Sequence, residues 1–414
     1  MKALFYALGQ AVFNSYDVLM LVIFVESVLF SIFYWLHSRV LISFYGGVAE
    51  ESTEKLQRRR HSAMLMAFFL LLVGLSEIVF LLTYNIFLSD WVRNTVGAWF
   101  FVAITLIFFL PGAMLFRYVS TLLDRNAAQN RFFLTPLVVF VTSILVAYSG
   151  LWEMILQPVF WEPYIFVASV AFALNTVFAL LTLRFLHRYQ QQVQDYFGNI
   201  DAVDVRWLTV VTSGFCVIWS MALIPPFMSE EKLPILRELI IHLPSVLQIV
   251  LLTAAVLFGL SQGVRIIQVL PEKLFAQQSD AVAESSQEPQ VSEALLIQLR
   301  TLMEGDYWYR RPDITLDQFA NAAGQSPKLV SHAINRHFEK NFYEFVNAYR
   351  IEEIKQRLKE EEPNQVSIQS IYEAAGFRSK SSFNTLFRKW VGMTPSQYRK
   401  KFGRATNPLI PLAK

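Results

Sequence analysis

Two stretches near the C-terminal end carry polar side chains at helical spacing. Lys328, Ser331, His332, Asn335 and Arg336 recur in SPKLVSHAINRHF, and Lys380, Ser381, Asn384, Thr385 and Arg388 recur in SKSSFNTLFRKW. Residues three and four apart share one face of a helix, so each set forms a polar stripe. The chemistry available to such a stripe is hydrogen bonding to nucleic-acid bases: Lys and Arg donate to guanine, Asn pairs bidentately with adenine, and hydroxyls serve either. Arg388 and Lys389, near a helix end, are suited to phosphate. From Ala374 to Lys414 the chain has nine basic residues and no acid, a net of +9 that attracts phosphate. Anionic lipid would attract the same charge, but lipid requires no ordered spacing. By residue type alone, a solvated face is the commoner outcome for such side chains.

The elements that must position these stripes are legible around them. In ITLDQFANAAGQSPKLVSHAINRHF, Thr315 caps a first helix and Leu316, Phe319, Ala320 and Ala323 line its inner face. Gly324 then ends it where a positive φ is inexpensive. Ser326 caps a second helix with Pro327 at its first position, where a missing N–H does no harm. The pattern returns with Ser367 as cap, Ile368, Ile371 and Ala375 facing inward, Gly376 as the turn, and Phe383, Leu386 and Phe387 as the next core stripe. Two short helices about a glycine turn describe a helix-turn-helix. The segment NFYEFVNAYRIEEIKQRLKEEE reads as one connecting helix ended by Pro363. About 18 helical residues span roughly 27 Å, suitable for holding two readers about one DNA turn, roughly 34 Å, apart.

With these residues in place, residues 293–402 resemble the DNA-binding domain of AraC/XylS-type bacterial transcription regulators. The resemblance rests on Arg350, Ile351, Ile354 and Leu358, then Ile368 and Ile371, Gly376-Phe377, Phe383, Phe387, Gly392 and Thr394-Pro395. Tyr372 departs from it, since the family usually has a small residue there. The resemblance implies two helix-turn-helix units on a rigid linker helix, each placing its second helix in the major groove of promoter DNA. It also implies that the two polar stripes face DNA and that RNA polymerase is a protein partner. Homodimerisation is compatible with it and is not readable from one chain.

The rest of the chain is of another kind. The protein is 54% hydrophobic with a mean hydropathy of +0.38, and the apolar excess ends near Gly263. Seven runs match the roughly 20 residues a spanning helix needs: 18–37, 63–84, 96–117, 132–151, 163–185, 207–227 and 243–262. With the N-terminus outside, the inner loops hold Arg39, Lys55, Arg58, Arg59, Arg60, Arg117, Arg125, Arg131, Arg184, Arg188 and Arg206. The outer ones hold only Lys2, Arg93, Lys232 and Arg237. The bias of Lys and Arg toward inner loops then predicts a multi-pass protein of the bacterial inner membrane with its C-terminal domain in the cytoplasm. Trp91, Trp152, Trp161, Trp35 and Trp207 fall near predicted boundaries, as interfacial anchors do.

The expected architecture is all-α. A seven-helix membrane domain covers 1–262, a cytoplasmic linker 263–292, an AraC-type domain 293–405 and a tail 406–414. Inside the spans, Glu26, Glu77, Asn175, Ser220 and Gln248 fall in one outer-to-middle layer, and ionisable groups there are functional candidates by default. Two readings stand: a polar cavity for an unidentified ligand or for coupling, and a set of interhelical hydrogen bonds. The lone Cys216 excludes an intrachain disulfide and a cysteine cluster for metal. No phosphate-cradling loop, metal-binding His pair or nucleophile elbow occurs, so neither a cofactor nor an enzyme activity is expected. The function expected is a membrane-bound, sequence-specific transcription regulator, in contact with duplex DNA and the bilayer, that senses a signal through its spans. The alternative is a transporter or channel with a basic regulatory tail.

Overall fold

A run of about 20 apolar residues can satisfy its own backbone in hydrocarbon by forming a helix, and the N-terminal unit holds helices of that length and composition. The computed structural model describes residues 15–45, 53–96, 99–123, 134–149, 163–201, 203–224, 234–269, 291–361 and 366–403. Its elements are helical, and among the described residues the β-type pairing is an isolated bridge between Phe197 and Thr315. Residues 270–290 of the expected linker region, the tail from 404, and Trp152 and Trp161 lie outside the described residues.

The described structure divides into two units. The first comprises residues 1–187 and 205–270. Its helices are α1 (Ser15–Tyr45), α2 (Thr53–Tyr84), α3 (Ile86–Thr95), α4 (Trp99–Ile104), α5 (Pro111–Leu123), α6 (Thr135–Ala147), most of α7 (Pro163–Tyr196), α8 (Arg206–Met221) and α9 (Pro234–Val269). Among the described residues, four segments are long and apolar enough to cross a membrane: Tyr16–Arg39, Gln57–Thr83, Pro163–Tyr196 and His242–Gly259.

The other three predicted runs take shorter forms. The run at 96–117 is divided among α4, a 3-10 turn over Thr105–Phe109, and α5, because Pro111 has no N–H to continue the ladder. The run at 132–151 contains the 13-residue α6. The run at 207–227 contains the 16-residue α8.

Helices of the first unit approach closely where side chains are small, as in membrane bundles. A Cβ on Gly74 of α2 would lie 2.8 Å from the Cβ of Ser27 on α1. Ser31 Oγ, also on α1, donates to the Ala67 carbonyl at 2.8 Å. On its other side α1 exposes Val18, Val22, Val25, Leu29, Ile32 and Leu36, an aliphatic stripe at alternating spacings of four and three.

The second unit joins residues 188–204 to 271–414. Its further helices are α10 (Glu293–Glu304), α11 (Leu316–Ala322), α12 (Pro327–Phe338), α13 (Phe342–Glu360), α14 (Ile368–Ala374), α15 (Lys380–Val391) and α16 (Pro395–Phe402). Each starts where the sequence supplies a capping oxygen: Ser292, Thr315, Ser326, Asn341, Ser367, Ser379 and Thr394 all accept a bond from the first-turn backbone. At Thr315, Asn341 and Thr394 the bond is reciprocated by Gln318, Glu344 and Gln397, the capping-box arrangement. Local sequence therefore sets where these helices begin.

Candidate nucleic-acid interface

Within the second unit, α11 and α12 form one helix pair and α14 and α15 another, and the 19-residue α13 runs between them. The turns match their sequences. Gly324 has φ +62° and Gly376 φ +95°, values that L side chains rarely adopt. At Gly376 a Cβ would also lie 2.8 Å from the carbonyl oxygens of Tyr309 and Arg310, so close backbone approach and positive φ both select glycine.

Each pair has an apolar floor that fixes which face of its second helix points out. Under α12, Val330, Ala333 and Ile334 are buried with Phe319, Ala320, Phe342, Phe345 and Val346. Under α15, Phe383, Leu386 and Phe387 join Ile351, Ile354, Leu358, Ile371, Ala375, Phe377 and Tyr398 in one cluster. Tyr372 belongs to that cluster and stacks on Phe383 with ring centroids 4.9 Å apart. The larger residue at this position is thus accommodated as a core ring.

With those residues buried, the polar stripes are left accessible. Lys328, Asn335 and Arg336 on α12 are exposed, and Ser331 and His332 are half-buried. On α15, Lys380, Ser381, Thr385, Arg388 and Lys389 are exposed and Asn384 is half-buried. Each second helix therefore offers a mixed face of cations, hydroxyls and an amide.

Arg350 was legible only as part of a motif, and its structural position is specific. On α13 it is 1% exposed. Its guanidinium donates to the carbonyls of Tyr309 (2.7 Å), Arg311 (2.9 Å) and Gly198 (3.1 Å), and to Asn347 Oδ1 (3.3 Å). Burial pushes its pKa down to about 10, opposed by the negative charges of nearby groups that include Asp201 and Asp313. It stays charged at neutral pH, and a buried charge of this kind is tolerated because its donors are matched to acceptors. The result ties α13 to the chain that precedes α11. Arg378, just beyond the second glycine turn, pairs with Asp313 of the same segment.

The polar groups expected inside the apolar runs separate into two kinds. Glu77 Oε1 accepts from Gln248 Nε2 at 2.8 Å, and Glu26 Oε1 accepts from Thr253 Oγ1 at 2.6 Å, so α1 and α2 are each tied to α9. Asn175 stands apart from them. It donates to the Phe108 carbonyl (2.7 Å) and accepts from the Gly112 N–H (2.9 Å), satisfying backbone groups at the break around Pro111. Ser220 bonds its own helix at the Cys216 carbonyl (2.7 Å). The structure thus joins Glu77 to Gln248 and gives Asn175 and Ser220 separate local partners.

A family model described as a helix-turn-helix domain matches residues 319–401. No curated protein and no solved structure matches the chain. The match begins within α11, ends within α16 and includes both glycine turns and both polar stripes. Residues 319–401 form a helix-turn-helix domain of the AraC type.

Proposed function

We propose that the protein is a membrane-bound transcription regulator that reads promoter DNA with α12 and α15, the second helices of two helix-turn-helix units. The observation that carries this reading is the pair of open polar faces held behind capped helices and glycine turns, inside the segment that matches the family. Lys328, Ser331, His332, Asn335 and Arg336 address one groove. Lys380, Ser381, Asn384, Thr385 and Arg388 address the next, with Lys389 on phosphate. The aliphatic exterior of α1 and the four long apolar helices support residence in a bilayer. In the full proposal seven crossings leave the N-terminus outside and the DNA-binding domain in the bacterial cytoplasm, within reach of promoters and RNA polymerase. The spans sense a signal, and Glu26, Glu77 and Gln248 act in coupling because they join α1 and α2 to α9.

Genome-wide occupancy of the full-length protein tests the DNA reading. Discrete sites that weaken with Asn384→Ala and with Arg388→Ala are expected. Occupancy that is absent, or indifferent to both changes, would remove the basis for the proposal.

A further inference from the structure

The connection between α7 and α8 has no part in the function described so far, yet residues 188–204 pack within the same unit as the helix-turn-helix segment. Phe197 forms the isolated antiparallel bridge with Thr315, and the Gly198 N–H donates to the Ile314 carbonyl at 3.0 Å. The Gly198 carbonyl accepts from Arg350 Nη1 and from Asn347 Nδ2, both at 3.1 Å. Tyr196 OH donates to Asp317 Oδ2 at 2.5 Å. Ser382, in the first turn of α15, donates to Asp201. Tyr196, Phe197 and Val203 are buried. At Gly198 a Cβ would lie 2.5 Å from Ile314 Cγ2 and 3.2 Å from Val346 Cγ1, so the backbone fits closely against both the approach to α11 and the side of α13.

We infer that residues 196–201 are a brace, an intramolecular docking segment that spans both helix pairs and holds α12 and α15 in the relative position a two-groove DNA site requires. Three features favour a brace over a mask. The six-residue segment touches the start of α11, the middle of α13 and the start of α15, the three places whose relative position sets the separation of the readers. The reading side chains stay exposed or half-exposed while it is docked. It also supplies an acceptor to the buried Arg350, and removing an acceptor from a buried charge is expensive. Because α7 runs without a break to Tyr196, a rotation or shift of this spanning helix moves the brace directly. The inference rests on the DNA-reading proposal and adds to it the route by which the spans act on the readers.

The test uses full-length protein in lipid nanodiscs and duplexes enriched from a random-sequence pool by the wild-type protein. Tyr196→Phe combined with Asp201→Ala, which removes the donor to Asp317 and the acceptor for Ser382, is expected to weaken binding to the enriched duplex about tenfold, with Gly198→Val weakening it further. Binding to duplexes carrying one half of the enriched sequence should stay within about twofold for the double variant, because a single reader needs no partner in register. A domain that had merely lost its fold would lose half-site binding too. Hydrogen exchange on the same samples should quicken over residues 313–317 and 343–351. Tighter binding by the double variant would identify a mask and overturn the brace. Unchanged affinity despite faster exchange would reduce the contact to passive packing, and unchanged exchange would show that these bonds do not hold the segment. If the wild-type protein enriched no sequence, the DNA reading would fail, while exchange would still report separately on docking.

Discussion

The N-terminal unit and the C-terminal unit are both made of helices, and they dispose of polarity in opposite ways. On α1 the outward residues are Val18, Val22, Val25 and Leu29, while Ser27 and Ser31 are buried against neighbours. On α15 the outward residues are Lys380, Ser381, Thr385 and Arg388, while Phe383, Leu386 and Phe387 are buried. The inversion is what two different solvents would require: an apolar exterior incurs no penalty in hydrocarbon, whereas water rewards removal of apolar area by about 25 cal/mol per Å². Beneath those surfaces the two interiors are alike: rings pack together in both, Phe80 with Phe108 and Phe172 in the first unit and Phe383 with Tyr372 and Phe387 in the second, and each unit adds side-chain bonds such as Gln248 to Glu77 and Arg350 to the Tyr309 carbonyl.

The largest effect expected from this contrast is at a C-terminal ring. Phe383→Ala should destabilise the helix-turn-helix domain by about 3–5 kcal/mol, measured as loss of hydrogen-exchange protection over α14 and α15 with the spans unaffected. Next, Leu29→Lys places a charge near the middle of the first candidate span on its exposed side and should oppose insertion by about 2.5–3.5 kcal/mol. The matched control, Gln369→Lys on the exposed side of α14, should alter stability by less than about 0.5 kcal/mol. Equal tolerance at both positions, scored by membrane fractionation and thermal melting, would break the comparison.

Intermediate effects distinguish packing from recognition. Gly112→Val would force a side chain toward Asn175, whose Cα lies 2.8 Å from the position of an added Cβ. Overpacking of this kind costs about 1–3 kcal/mol and should lower the melting temperature of the full-length protein. Asn384→Ala should weaken specific DNA binding by about 1–3 kcal/mol and leave that melting temperature almost unchanged, a split that a core residue would not give. Apart from the Gln369→Lys control, the smallest effect is expected at Glu77→Gln. It retains an acceptor for Gln248, so thermal stability in nanodiscs should fall by no more than the roughly 0.6 kcal/mol typical of interhelical bonds in membranes. A much larger loss would mean that the carboxylate itself has a role there.

How much of this was legible depended on the range of the interaction involved. Thr315, Ser326 and Ser367 could be identified as caps because each bonds a backbone group three residues away. Gly324 and Gly376 could be identified as turns because the backbone requirement is local. Asn175 and Ser220 looked equivalent to Glu77 and Gln248 because depth in a hydropathy profile says nothing about which neighbour a side chain meets. The run 96–117 was continuous by composition, and the division of its helix arises at Pro111, with Asn175 from α7 satisfying the exposed backbone. Arg350 could be placed in a motif, but three of its four acceptors are carbonyls distant in sequence.

The amino-acid sequence by itself determined the helical class, the helix starts and turns of the C-terminal domain, its polar stripes and the apolar character of the N-terminal half. All of these follow from periodicity, capping and composition, which act over a few residues. Tertiary structure alone decided that Glu26 and Glu77 meet α9, that Asn175 supports a broken helix, and that residues 196–201 lie across both helix pairs with the Gly198 carbonyl on a buried arginine. Those outcomes depend on which distant backbone groups come within about 3 Å, the range of a hydrogen bond, and no local pattern in the chain encodes that proximity.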